Sequence, residues 1–123
     1  MSTDEHAAGG RILVLAGGLC GATGVALSAA AAHLGGAFVG TAASFLLMHA
    51  PVFLVVGLLG GNSILQTGSL ILLVGLLLFS GDLLARDFLG SRLFPMSAPI
   101  GGTLLIGGWL VMAASALVGP RRH

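Results

Sequence analysis

Charge is the scarcest thing in this chain. Only 7% of its 123 residues are Asp, Glu, Lys or Arg, against roughly 25% in soluble domains. A soluble protein of this size has too much surface to cover with so few charges. The basic residues are all arginine, spread thinly for a net charge of +1, so nucleic acid has no basic patch to bind. There is a single cysteine, Cys20, which excludes an internal disulfide and any multi-cysteine metal site. Set among glycine and leucine, it reads as a small buried thiol.

Apolar residues and glycine fill the space that charge leaves. Hydrophobic side chains make up 56% of the chain and the mean hydropathy is +1.07, which points to the bilayer as solvent. The length leaves room for one domain. Apolar stretches of about 20 residues, the length a spanning helix needs, run over Ile12–Ala32, Ala37–Leu59, Ile64–Leu84 and Ile100–Val118. They predict an all-α integral membrane protein, a compact bundle of four transmembrane helices over residues 11–119. A short polar tail precedes it at 1–10 and a basic tail follows at 120–123. Glycines at Gly35-Gly36 and Gly60-Gly61 mark the first two links as tight turns between antiparallel neighbours. The third link, Ala85 to Pro99, is the one loop with room for structure of its own.

The first segment also fits a secretory leader, with Arg11 ahead of the apolar run and small residues at Ser28–Ala32. Its length and its glycine pattern favour a retained membrane helix. Arg11, Arg121 and Arg122 on one side outnumber Arg86 and Arg92 on the other, which favours both termini in the cytoplasm of a multi-pass membrane protein.

Lipid tails are as apolar as leucine, so helices in a bilayer associate by close backbone approach and a few hydrogen bonds. Small-residue stripes supply the first: Gly17, Gly21 and Gly24 in span one, Gly36 and Gly40 at the start of span two, Gly68 and Gly75 in span three, and Gly101 and Gly108 in span four. The partners this implies are the lipid bilayer and either other membrane subunits or further copies of the chain.

Polar groups at membrane depth cost free energy unless paired, which makes His49, Asp82, Ser80 and His33 the candidate positions. His49 lies near the midplane of span two, two residues before Pro51, where a proline kink is expected to expose the Leu47 carbonyl. A neutral imidazole bonded across helices to a serine, threonine or carbonyl is the structural reading, and a proton or solute relay is the functional one. Asp82 continues the Gly68–Gly75 face, and its depth allows a pair with His33, with Arg86 one turn further on. Gln66, Thr67 and Ser69 are expected to cap and solvate the start of span three. Trp109 is expected to bond its N–H inside the bundle. His6 and His123 are terminal and expected in solvent.

Nucleophilic catalysis needs a positioned base and an orienting group, and no serine is placed against His33 or His49 for it. His49 lies too far in depth from His33 and Asp82 for one ion to gather all three. The chain therefore reads as a non-enzyme with no metal site and no cofactor.

Four stretches occur in order: "GLCGATGVALSAAAAHLGG" (Gly18–Gly36), "MHA" (Met48–Ala50), "FSGDLL" (Phe79–Leu84) and "APIGGTLLIGGW" (Ala98–Trp109). Together they resemble the family called domain of unknown function 423, the UPF 0382 inner membrane proteins. The resemblance covers the chain from about Gly17 onward. It implies family-type positions at His33, His49, Ser80, Gly81, Pro99, Gly101, Gly102 and Trp109, and a small bacterial inner-membrane protein with no reaction to transfer. The chain departs from the pattern where Ala31 and Leu34 flank His33, where Asp82 replaces a small serine, where Ala98 replaces threonine, and where Phe45, Leu46 and Leu47 precede the second-span histidine. Two functions compete on this footing. One is a structural or accessory membrane subunit packing through its glycine faces. The other is an oligomeric transporter or channel for protons or a small solute, using His49 and Asp82.

Overall fold

The computed structural model describes residues 3–118, with side chains from Ala8 onward. The expected basic tail at 120–123, with Arg121 and Arg122, lies outside the described residues. Four helices follow in order: α1 (Thr3–Leu34), α2 (Val39–Leu59), α3 (Ser63–Phe88) and α4 (Ser97–Ala114), which tightens into a 3₁₀ turn at Ser115–Leu117. All four are long and apolar enough to cross a membrane. Helices suit that setting because each satisfies its backbone hydrogen bonds internally.

The boundaries move in instructive ways. The stretch expected as a polar N-terminal tail is helical from Thr3 and continuous with the first span. The third link contracts from the expected Ala85–Pro99 to residues 89–96, because α3 runs on to Phe88 and α4 begins at Ser97. Pro99 falls in the first turn of α4, where a missing N–H costs no helical bond. Between α2 and α3, Gly60 and Gly61 both take positive φ, 77° and 98°, a reversal that residues with a Cβ resist.

The bundle is assembled from two tight hairpins. α1 lies along α2, α3 lies along α4, α2 joins α3, and α1 meets α3 only lightly. Leu13, Leu46, Phe53, Leu72, Leu76 and Leu105 form the buried core, while α1 and α4 turn leucines such as Leu15 and Leu110 outward. Close packing follows heptads rather than GxxxG pairs. In the first hairpin a Cβ on Gly10 would lie 2.8 Å from Gly57 O, one on Gly17 2.9 Å from Ala50 O, and one on Gly24 3.3 Å from Ala43 O. Each step of seven along α1 is matched by a step of seven back along α2. In the second hairpin Gly75 and Gly101 face each other, a Cβ on either falling 2.8–2.9 Å from the other's carbonyl, and Gly68 and Gly108 do the same at 3.1 Å.

Three of the expected packing glycines do not pack this way. A Cβ on Gly21 would meet only Ala50 Cβ at 3.8 Å, and one on Gly40 only Ala31 Cβ at 3.9 Å. Gly36 lies in the link with φ +105°, close to Asp87. The reason is geometric: antiparallel helices packed along their length keep a seven-residue seam in contact, and the i+4 positions rotate off it.

Candidate functional site

His49 is central in α2 and 5% exposed. Its Nδ1 lies 2.8 Å from the Phe45 carbonyl, and its Nε2 lies 3.2 Å from Trp109 Nε1. An indole N–H can only donate and a carbonyl can only accept. The network therefore assigns one tautomer, with the proton on Nδ1 directed at Phe45 O and the Nε2 lone pair receiving the Trp109 N–H. The cross-helix partner is an indole, not the expected serine, threonine or carbonyl, and the carbonyl that His49 does use belongs to its own helix. Nor is that carbonyl the one released by proline. Pro51 is exposed while His49 is buried, and α2 runs unbroken from Val39 to Leu59. Phe45 packs against Phe79 of α3 with the rings tilted by 44° and 4.7 Å between centroids. With Leu105, Ile106 and Trp109 these rings border a pocket of about 310 Å³.

A base or relay needs a lone pair free to take a proton. The Nε2 lone pair, which alone could serve, is held by Trp109. Proton transfer through His49 would first have to break the contact joining α2 to α4.

The second polar cluster ties the helix ends together. Asp82 is fully buried. Its Oδ1 accepts the Ser97 hydroxyl at 2.6 Å and the Leu93 N–H at 3.1 Å. Its Oδ2 lies 2.9 Å from Arg86 Nη2, one turn along the same helix. The Arg86 guanidinium also sits over the Phe38 ring, 5.3 Å from its centroid. One residue beyond, Asp87 Oδ2 accepts the N–H groups of Phe38 and Val39, each at 2.7 Å. Phe38 gives the α2 N-terminus no side-chain cap, so a carboxylate from α3 supplies one. The pair of Asp82 with His33 does not form. His33 is exposed at the end of α1, which barely approaches α3, and Asp82 turns instead to α4, the third link and Arg86.

At the opposite end Asn62 caps α3, its Oδ1 accepting the Leu65 N–H at 2.8 Å while its Nδ2 donates to Ser115 O at 3.0 Å. This corrects the assignment of capping to Gln66, Thr67 and Ser69. Ser69 is fully buried and bonds back to Leu65 O at 3.0 Å. Ser80 is buried too, and its hydroxyl finds no hydrogen-bond partner among the described residues.

Of the four intramembrane candidates, His33, His49, Ser80 and Asp82, none touches another through a hydrogen bond among the described residues. Asp87, Asn62, Ser97 and Trp109 are the partners that hold the polar groups in place. Asp82 and Arg86 at i,i+4 gave a readable signal for one pair. Asp87 gave none, because its partners are backbone groups on another helix.

Comparison with known proteins places the chain among relatives. A family model described as "Protein of unknown function (DUF423)" matches residues 20–102. The UPF0382 membrane protein of Haemophilus influenzae is 32% identical over 108 residues, covering 83% of this chain and 87% of that protein. No solved structure matches.

Proposed function

The chain belongs to the DUF423 family of membrane proteins, and we propose that within it this protein is a structural or accessory subunit of the bacterial inner membrane. On this reading it acts through its helix surfaces, not through a reaction or a conducted ion. The observation that carries the proposal is the spending of the His49 ring: both nitrogens are consumed by bonds within the chain. The buried carboxylate of Asp82 is spent likewise, on Ser97, Leu93 and Arg86. Polar groups at membrane depth are expensive, and here each of these two fixes one helix against its neighbours. The outward faces of α1 and α4 remain available to lipid and to other membrane subunits.

Native mass spectrometry tests this on protein extracted from its own membranes at native expression. The expected result is a stoichiometric complex with a larger membrane protein. A lone homo-oligomer whose proton flux in proteoliposomes disappears on His49→Ala would overturn it in favour of a transporter.

A further inference from the structure

The light contact between α1 and α3 leaves a cleft of about 200 Å³. Leu19, Cys20 and Thr23 of α1, Leu46 of α2, and Leu77 and Ser80 of α3 line it. Ser80 is 3% exposed, and its Oγ has no hydrogen-bond partner among the described residues. Four other hydroxyls of the bundle have partners: Ser69, Thr103 and Ser115 bond back to carbonyls of Leu65, Pro99 and Met112, and Ser97 bonds to Asp82. A buried hydroxyl without a partner carries a desolvation cost, and here it sits in the wall of a cleft.

The chemistry of the walls narrows what would satisfy it. Among the six residues named, only Thr23 and Cys20 add polar side-chain atoms to Ser80, so an occupant must be mostly apolar with one hydrogen-bond acceptor. Leucines make up the rest. Depth narrows it further. Ser80 follows Phe79, which packs against Phe45, one turn from His49 at the centre of α2. That puts its hydroxyl roughly 7 Å from the midplane, while the hydrocarbon region extends about 15 Å to either side. Phospholipid ester carbonyls lie further out. We infer that the cleft is a binding site for a small lipid-soluble ketone-type carbonyl compound, its oxygen accepting the Ser80 O–H and its apolar body lying against Leu19, Leu46 and Leu77. This goes beyond the subunit reading and does not depend on it.

Benzophenone tests the inference directly, because it is itself an apolar ketone and, once irradiated, inserts into nearby C–H bonds. The full chain in lipid nanodiscs is irradiated with it and the labelled residues are mapped by mass spectrometry. Labels are expected to concentrate on Leu19, Leu46 and Leu77. Ser80→Ala should lower labelling there about 2- to 10-fold, the equivalent of one hydrogen bond, and leave labelling of outward-facing Leu110 unchanged. Thr23→Leu, which fills the cleft from an exposed position of α1, should remove the cleft labels with Ser80 intact. Labels spread evenly over the lipid-facing leucines, or cleft labelling equal in wild type and Ser80→Ala, would overturn the site. Should Ser80→Ala fail to insert, Thr23→Leu decides: cleft labelling at the wild-type level overturns the site just as firmly.

Discussion

Trp109 and His49, sixty residues apart in sequence, share a hydrogen bond of 3.2 Å that joins α4 to α2 near the middle of the bilayer. The two rings lie 5.7 Å apart between centroids and are tilted by 49°, so the contact combines a bond with aromatic packing. Because α4 packs chiefly on α3, this bond, with Leu105 in the shared core, engages it with the first hairpin.

Removing the donor alone should therefore be costly. Trp109→Phe leaves the His49 Nε2 lone pair buried without a partner. A double-mutant cycle of Trp109→Phe with His49→Phe, followed by unfolding in mixed micelles, should give a coupling energy of about 1 kcal/mol, within the range of interhelical bonds in membrane proteins. A coupling near zero would mean that the bond does not bear on stability.

The glycine seams predict opposite outcomes for similar substitutions. A Cβ on Gly101 would lie 2.6 Å from Phe79 N, backbone that cannot yield cheaply, so Gly101→Ala should destabilise by about 1–3 kcal/mol. Gly107, six residues on along the same helix, has nothing within 4 Å of its Cβ position. Gly107→Ala should change stability by no more than about 0.5 kcal/mol. Thermal denaturation of the two variants in the same detergent checks the contrast, and equal losses would contradict the heptad seam.

Asp82→Ala strips the acceptor from Ser97 and Leu93 and leaves Arg86 without its counter-charge. Breaking a buried pair on one side costs about 3–5 kcal/mol. Asp82→Asn keeps an acceptor oxygen for the link and should cost less. Hydrogen exchange at the Leu93 amide should rise in the alanine variant and change less in the asparagine variant. Unchanged exchange in both would show that Asp82 does not hold the third link.

Asp87→Ala removes the cap that α3 supplies to α2. The expected loss is about 1 kcal/mol, typical of an N-cap, with faster exchange at Phe38 and Val39 and little change at Leu93. That pattern separates the two neighbouring carboxylates, which are close in sequence but serve different links.

Much of this architecture was legible in the sequence, and the exceptions share a cause. Span number, approximate limits and antiparallel order follow from apolar length and glycine turns, because the bilayer thickness dictates them. The internal bonding of Trp109 was readable, since an indole N–H at membrane depth needs a partner. Its identity was not, because sequence spacing does not relate positions on α2 and α4. The ends of α3 and α4 were misplaced for a similar reason. Charged residues such as Arg86 and Asp87 look like loop, yet they extend α3, Arg86 pairing with Asp82 and Asp87 bonding to the α1–α2 link. The choice of Gly17–Gly24 over Gly17–Gly21 depended on the run of the helices against each other, which a single helix face does not reveal.

The protonation of the His49 ring tests most directly whether the intramembrane polar groups serve the fold. Nitrogen NMR on isotopically labelled protein in lipid bilayers, with the His49 signals assigned against a His49→Phe variant, reads it at neutral pH. A structural role predicts a single neutral tautomer, with the proton on Nδ1 and a Nε2 that accepts from Trp109. A protonated imidazolium, or a neutral ring with its proton on Nε2, would contradict it and return His49 to the candidates for a proton path.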